Sequence, residues 1–200
     1  MLKKTCIALV LFSLQSIAFA SNFSYTYLGI DIGKAIIDEK ISLDGYLYEE
    51  MGSASINGSY QINNTAVLSV ETSILANEGG HTEITYSNVE FILSYPITIG
   101  ERFDIVPFIG SRDDEIEFCI LNKCEKYDES AIEYGAQVRT WLVPNSVELN
   151  VKYLDADSDG FDSEFGVGLA HMANQNNRIN INYRTEDALS LISMGYRYNW

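Results

Sequence analysis

The 200-residue chain is short of the residues that break or cross-link structure, with only three prolines and three cysteines. So little proline, beside 14 glycines, excludes a collagen-like or low-complexity polymer. Positive charge is scarce too: 13 Lys and Arg stand against 28 Asp and Glu, a net charge of −15. Phosphate recognition needs a basic footprint, so nucleic acid is excluded as a partner. No apolar run reaches the roughly 20 residues of a membrane-spanning helix. What is abundant is apolar and aromatic content, 46% and 12%, with 13 tyrosines.

Residues 1–20 have the layout of a secretory signal peptide. Lys3 and Lys4 precede the apolar run Ile7 to Phe12, and Ala18-Phe19-Ala20 forms a small-residue cleavage site before Ser21. Cys6 precedes the apolar run, where a lipid-modified cysteine would not stand. Removal of this segment leaves 11 bases against 28 acids, a charge of −17. Residues 21–200 then form one domain, with no composition shift or repeat to divide it. The remaining cysteines, Cys119 and Cys124, enclose four residues within a polar segment and are bound for an oxidising compartment. They are expected to form a small disulfide-closed loop.

The rest of the chain alternates with period two, the signature of β-strands. Ten segments carry one apolar phase, among them Leu28-Ile30-Ile32, Leu68-Val70, Val89-Phe91-Leu93, Val147-Leu149-Val151 and Ile192-Met194-Tyr196. Short turn-forming connections at 63–64, 96–101, 144–145 and 174–177 alternate with mostly longer, acidic ones near 34–51, 77–81, 112–128, 155–162 and 185–188. That succession describes an all-β, up-and-down antiparallel barrel, of about ten strands or, with longer loops, eight.

Periodicity does not say which face is wet. A lipocalin-like periplasmic barrel, with apolar residues lining a ligand cavity, alternates in the same way. The opposite phase favours the inverted arrangement. It is small or polar, as in Ser53-Ser55-Asn57-Ser59-Gln61, and its charges nearly cancel. Asp31, Glu71, Glu90, Asp104, Glu133, Glu148 and Glu164 oppose Arg102, Arg139, Lys152, Arg178, Arg184 and Arg197. A narrow polar lumen holds such a set, because charges buried together need partners. Tyr60, Tyr95, Tyr153, Tyr183, Tyr198 and Trp200 lie near strand ends, where interfacial girdles sit.

The last eight residues, Ser193-Met194-Gly195-Tyr196-Arg197-Tyr198-Asn199-Trp200, resemble the C-terminal assembly signal of Gram-negative outer-membrane proteins. Ser193, Gly195, Tyr198 and Trp200 fill its places, with Trp where Phe is commoner. Phe23-Ser24-Tyr25-Thr26-Tyr27-Leu28-Gly29 resembles the first strand of small OmpA/OmpX-like, porin-like barrels. The resemblance covers the two ends of the chain; its members usually have eight strands. It implies location in the outer membrane, insertion by the outer-membrane assembly machinery after escort by periplasmic chaperones, and contact with membrane lipids and lipopolysaccharide. A monomer is expected.

Chemistry-bearing patterns are few. Asp155-Ala156-Asp157-Ser158-Asp159-Gly160 matches the first half of an EF-hand loop, but Gly166 stands where the bidentate Glu is required. A solvated acidic loop is the plainer reading, with weak Ca²⁺ binding at Asp155, Asp157 and Asp159 as the sharper one. Mg²⁺ or Ca²⁺ held by the loop acids would bridge the barrel to lipopolysaccharide, or the loops would contact a cationic ligand; the plainer reading is that the acids keep exposed loops soluble. His171 is followed by Ala173 where a His-x-Ser lipid hydrolase needs serine, and His81 sits in a short acidic connection, so no enzymatic activity is evident. The expected function is therefore structural and surface-interactive. A narrow cation-preferring channel and the soluble ligand-binding barrel are the alternatives. The lumen network is expected to be built from Glu71, Glu133, Glu148, Arg139, Arg184 and Arg197.

Overall fold

A computed structural model describes residues 23–62, 65–121, 123–158, 161–186 and 188–200, without the side chain of Glu39. The predicted signal peptide lies outside the described residues. The strands are β1 (Tyr27–Leu43), β2 (Tyr46–Ile62), β3 (Ala66–Gly79), β4 (Thr82–Ser94), β5 (Ile97–Ile99), β6 (Phe103–Ile120), β7 (Lys123–Val143), β8 (Val147–Ala156), β9 (Glu164–Met172), β10 (Asn177–Glu186) and β11 (Leu189–Asn199). Each long strand pairs antiparallel with its neighbours in sequence; β1 pairs with β11, and β4 with β6. The sheet thereby closes into a barrel of ten strands, and three-residue β5 pairs only with the start of β6. Each of the ten alternating segments falls in one barrel strand. Closure satisfies every strand edge through the middle of the wall, leaving no row of free amides there.

The apolar phase faces outward. Ile32 is 65% exposed and Trp200 63%, and Ile56, Leu68, Phe91, Ile109, Leu169 and Ile181 are exposed likewise, on β2, β3, β4, β6, β9 and β10. The polar phase faces inward, where Glu90, Asp104, Glu133, Glu148 and Arg178 are buried. A soluble barrel with an apolar lumen is therefore not what the middle of this wall builds. The girdle tyrosines Tyr60, Tyr153, Tyr183 and Tyr198 are exposed, whereas Tyr95 is half-buried.

One expectation fails in an informative way. The acidic segments near 34–51 and 112–128 are not loops: β1 and β2 run on to a two-residue turn, Asp44-Gly45, and β6 and β7 to residues 121–122. Asp44 (φ 48°) and Gly45 (φ 82°) are both left-handed, the geometry that suits the right-handed twist of a two-residue hairpin. Only the connection between β8 and β9, residues 157–163, is long among those at this end. The acids thus decorate sheet rather than loop. Beyond the wall the phases exchange: Ala35, Ile37, Ile41 and Leu43 turn inward while Asp38, Lys40 and Ser42 are exposed, so the outward apolar phase of the wall breaks off there.

Candidate functional site

The lumen is organised in layers along the barrel axis. Nearest the end that carries both chain termini, Glu148 of β8 accepts hydrogen bonds from Arg139 Nε (2.8 Å) and Nη2 (3.1 Å) and from Arg178 Nη1 (2.8 Å). All three side chains are buried. Residues before β1 close this end. Phe23 stacks on Trp141 at 4.9 Å between ring centroids, and the Arg139 guanidinium lies over the rings of Phe23 (4.6 Å) and Tyr25 (4.5 Å). Tyr25 donates its hydroxyl to Asp104 at 2.7 Å. Val67, Val106 and, half-buried, Met172 complete an apolar collar around them. The segment at Phe23 resembling a first strand is thus, over residues 23–26, a stopper inside the barrel; the strand starts at Tyr27.

Above this layer Asp31 gathers three amides, from Asn57 (2.6 Å), Asn180 (2.7 Å) and Asn182 (3.2 Å). Its register partner on β11 is Gly195, where an added Cβ would come within 2.0 Å of Asp31 Oδ1. The glycine of the C-terminal motif therefore has a packing reason inside the wall. Arg184 reaches Glu71 (3.4 Å) and Glu164 (3.9 Å), and Lys152 reaches Glu164 (3.5 Å). Arg197 lies over the Tyr27 ring at 4.6 Å. Glu133 is wholly buried, and neither of its carboxylate oxygens meets a hydrogen-bond donor among the described residues.

The third layer was missed in the sequence. Arg112 of β6 donates to Asp114 (2.9 Å), Glu186 (2.9 Å) and the Tyr86 hydroxyl, which itself donates to Asp114 at 2.6 Å. Arg102, counted among the lumen bases, is instead exposed in the turn before β6, where its carbonyl accepts the Trp141 amide at 3.0 Å. Extending the inward phase of β6 from Asp104 by even steps reaches Arg112, and that is the signal that could have found it. Between the layers lie two cavities of about 160 Å³ and 110 Å³, lined mainly by polar and charged side chains, Asn57, Glu71, Asn150 and Arg197 among them.

On the outer hairpins Cys119 and Cys124 are direct cross-strand partners and form the disulfide, with Cα atoms 4.1 Å apart. Lys126 pairs with Glu115 (2.8 Å) and Glu117 (3.7 Å); the hydrogen bond it donates to Glu115 holds its ammonium above the ordinary lysine value. Asp157 Oδ1 accepts the Ile132 amide at 2.9 Å, and Asp155 Oδ1 the adjacent Ala156 amide at 3.0 Å. Asp159 lies outside the described residues. His81 is exposed in the β3–β4 turn and His171 on the outer face of β9, at opposite ends of the wall. Ser193 is buried toward the lumen, while Tyr198 and Trp200 stack on the outer face at 6.2 Å.

No protein-family model and no curated protein matches the chain. Among solved structures, KdgM porin is 10% identical with a TM-score of 0.48, over 86% of this chain and 99% of that one. Neisserial surface protein A is 13% identical with a TM-score of 0.47, over 90% and 98%. Ail, the attachment invasion locus protein of Yersinia pestis, is 15% identical with a TM-score of 0.41, over 87% and 99%. At this level the likeness is to the general barrel and carries no residue correspondence.

Proposed function

We propose that the chain is an outer-membrane β-barrel whose lumen is closed by its own side chains and whose role is structural and surface-interactive, with no catalytic site. The observation that carries this reading is the inverted wall: large apolar side chains exposed around the barrel, over an interior of buried ion pairs. In water such a belt would be a very large exposed apolar patch; in a bilayer it is the expected lipid face. The membrane fraction, run on a gel with and without boiling, tests it. A folded barrel resists detergent and shifts on heating. An unshifted band and recovery in the soluble fraction would overturn the proposal.

The same reading gives Ser193, Gly195, Tyr198 and Trp200 the role of assembly signal, by strand addition to the insertion machinery. It also makes the acidic hairpins the surface that meets lipopolysaccharide through Mg²⁺ or Ca²⁺, with weak binding at Asp155 and Asp157. Calcium that moves the signals of residues 157–158 in a titration supports that part, and unmoved signals count against it. A narrow cation-preferring channel is the second reading, favoured by the two polar cavities in the lumen. Reproducible cation-selective steps in a planar bilayer would select it over the closed barrel.

A further inference from the structure

Above the Arg112 layer the inward phase changes character. Ala35, Ile37, Met51, Leu75, Ile84 and Leu191, from five strands, turn their side chains inward and are buried together. Ile41, Leu43, Tyr86, Phe118 and Leu189 pack against them half-buried. The polar tip of the Tyr48 ring in this cluster is satisfied by Thr82 at 2.6 Å, so the wall exposes no unmet hydroxyl there. These residues sit on the outer ends of the strands, where the lumen opens away from the termini. The result is an apolar cup of about 620 Å³, a size typical of small-ligand sites.

The charge of the cup is one-sided. Its lining holds one arginine, Arg112, against Asp114, Asp128, Glu129, Asp162 and Glu186, a surplus of four negative charges. Arg112 is not free to receive an anion. Its guanidinium is committed to Asp114, Glu186 and Tyr86, with the Phe161 ring 5.3 Å from its centre. An apolar wall with an acidic lining selects a molecule with a greasy body and a positive head, since an anionic head would meet only repulsion.

We propose that this cup is a binding site for a small cationic amphiphile, its alkyl or aromatic body among Ile37, Met51, Leu75 and Ile84 and its ammonium among the carboxylates. The outward opening of the cup rests on the membrane reading; the cup itself does not.

The test is a methyl NMR titration of the full chain in zwitterionic lipid nanodiscs, or in buffer should it fail to insert. Decylammonium and decyl sulfate are added separately. Saturable shifts at Ile37, Met51 and Ile84, with decylammonium at least tenfold tighter than the sulfate, are expected. A Glu129→Gln, Asp162→Asn variant, altered only at exposed carboxylates, should weaken decylammonium severalfold and leave the sulfate unchanged. Shifts confined to belt residues such as Ile56 and Leu68, or equal affinity for the two head groups, would overturn the proposal. Failure to insert would count against the membrane reading alone, because the same methyls are read in either medium.

Discussion

Glu148 receives two arms of the Arg139 guanidinium, at 2.8 and 3.1 Å, where both side chains are almost wholly buried. A buried ion pair adds little net stability over an apolar pair, but removing one partner strands the other charge. Here Glu148 answers two cations, since Arg178 also binds it. Glu148→Gln should therefore lower stability by about 3–5 kcal/mol. The check is the urea midpoint of the refolded barrel, followed by the heat-shifted gel band.

Glu133 presents the opposite case. Its carboxylate is buried without a hydrogen-bond donor among the described residues, so its charge costs desolvation with no direct compensation. Glu133→Gln is expected to leave the barrel as stable as before or more so, in the same denaturation series. A loss comparable to that of Glu148→Gln would contradict this account.

Two glycines should respond differently to one methyl group. At Gly195 an added Cβ meets Asp31, whose carboxylate is fixed by three amides and has little room to retreat. At Gly58 the nearest atom would be 3.7 Å away, an ordinary contact. Gly195→Ala should sharply reduce the fraction of chain that shows the folded, heat-modifiable band, and Gly58→Ala should not.

The stopper at the termini end predicts conductance. Phe23→Ala with Tyr25→Ala removes the ring that stacks on Trp141 and the hydroxyl that holds Asp104. The double variant is expected to show small steps in a planar bilayer where the unaltered barrel is silent. Silence from both would assign closure to the Arg139–Glu148–Arg178 layer instead.

Reduction of Cys119–Cys124 should matter locally. The two residues already face each other in an antiparallel ladder, and the loop they close is very short, so little chain entropy depends on the bond. The heat-shift temperature should be unchanged by reductant, while amide exchange at Phe118 and Glu125 rises.

The wall was legible in the sequence because an apolar outer face and a charged lumen force strict alternation. Leu28-Ile30-Ile32 against Asp31 is the pattern in miniature. Where that constraint ends, so did legibility. Residues 112–128 are rich in acids of low strand preference and from Lys123 on are exposed, so they read as loop although they form a ladder up to Ile120–Lys123. Arg102 was misplaced by carrying the inward phase two residues back from Asp104, one residue beyond the start of β6 and into a turn. Arg112 was lost by stopping the same phase too early. The stopper was illegible for another reason: Phe23 and Tyr25 alternate like a strand, and only the ring stack and cation contacts draw them inside.

At the end of the barrel remote from the termini, four of the five connections between strands are two residues long; the exception is 157–163. A protease needs extended, unpaired chain to bind and cut, and a ladder withholds it. An enzyme acting from that side therefore meets a molecule with one cleavable place, and a cut there would leave all ten barrel strands and their pairings in place. A nicked chain held together as a two-piece barrel is the form in which such an encounter would leave it.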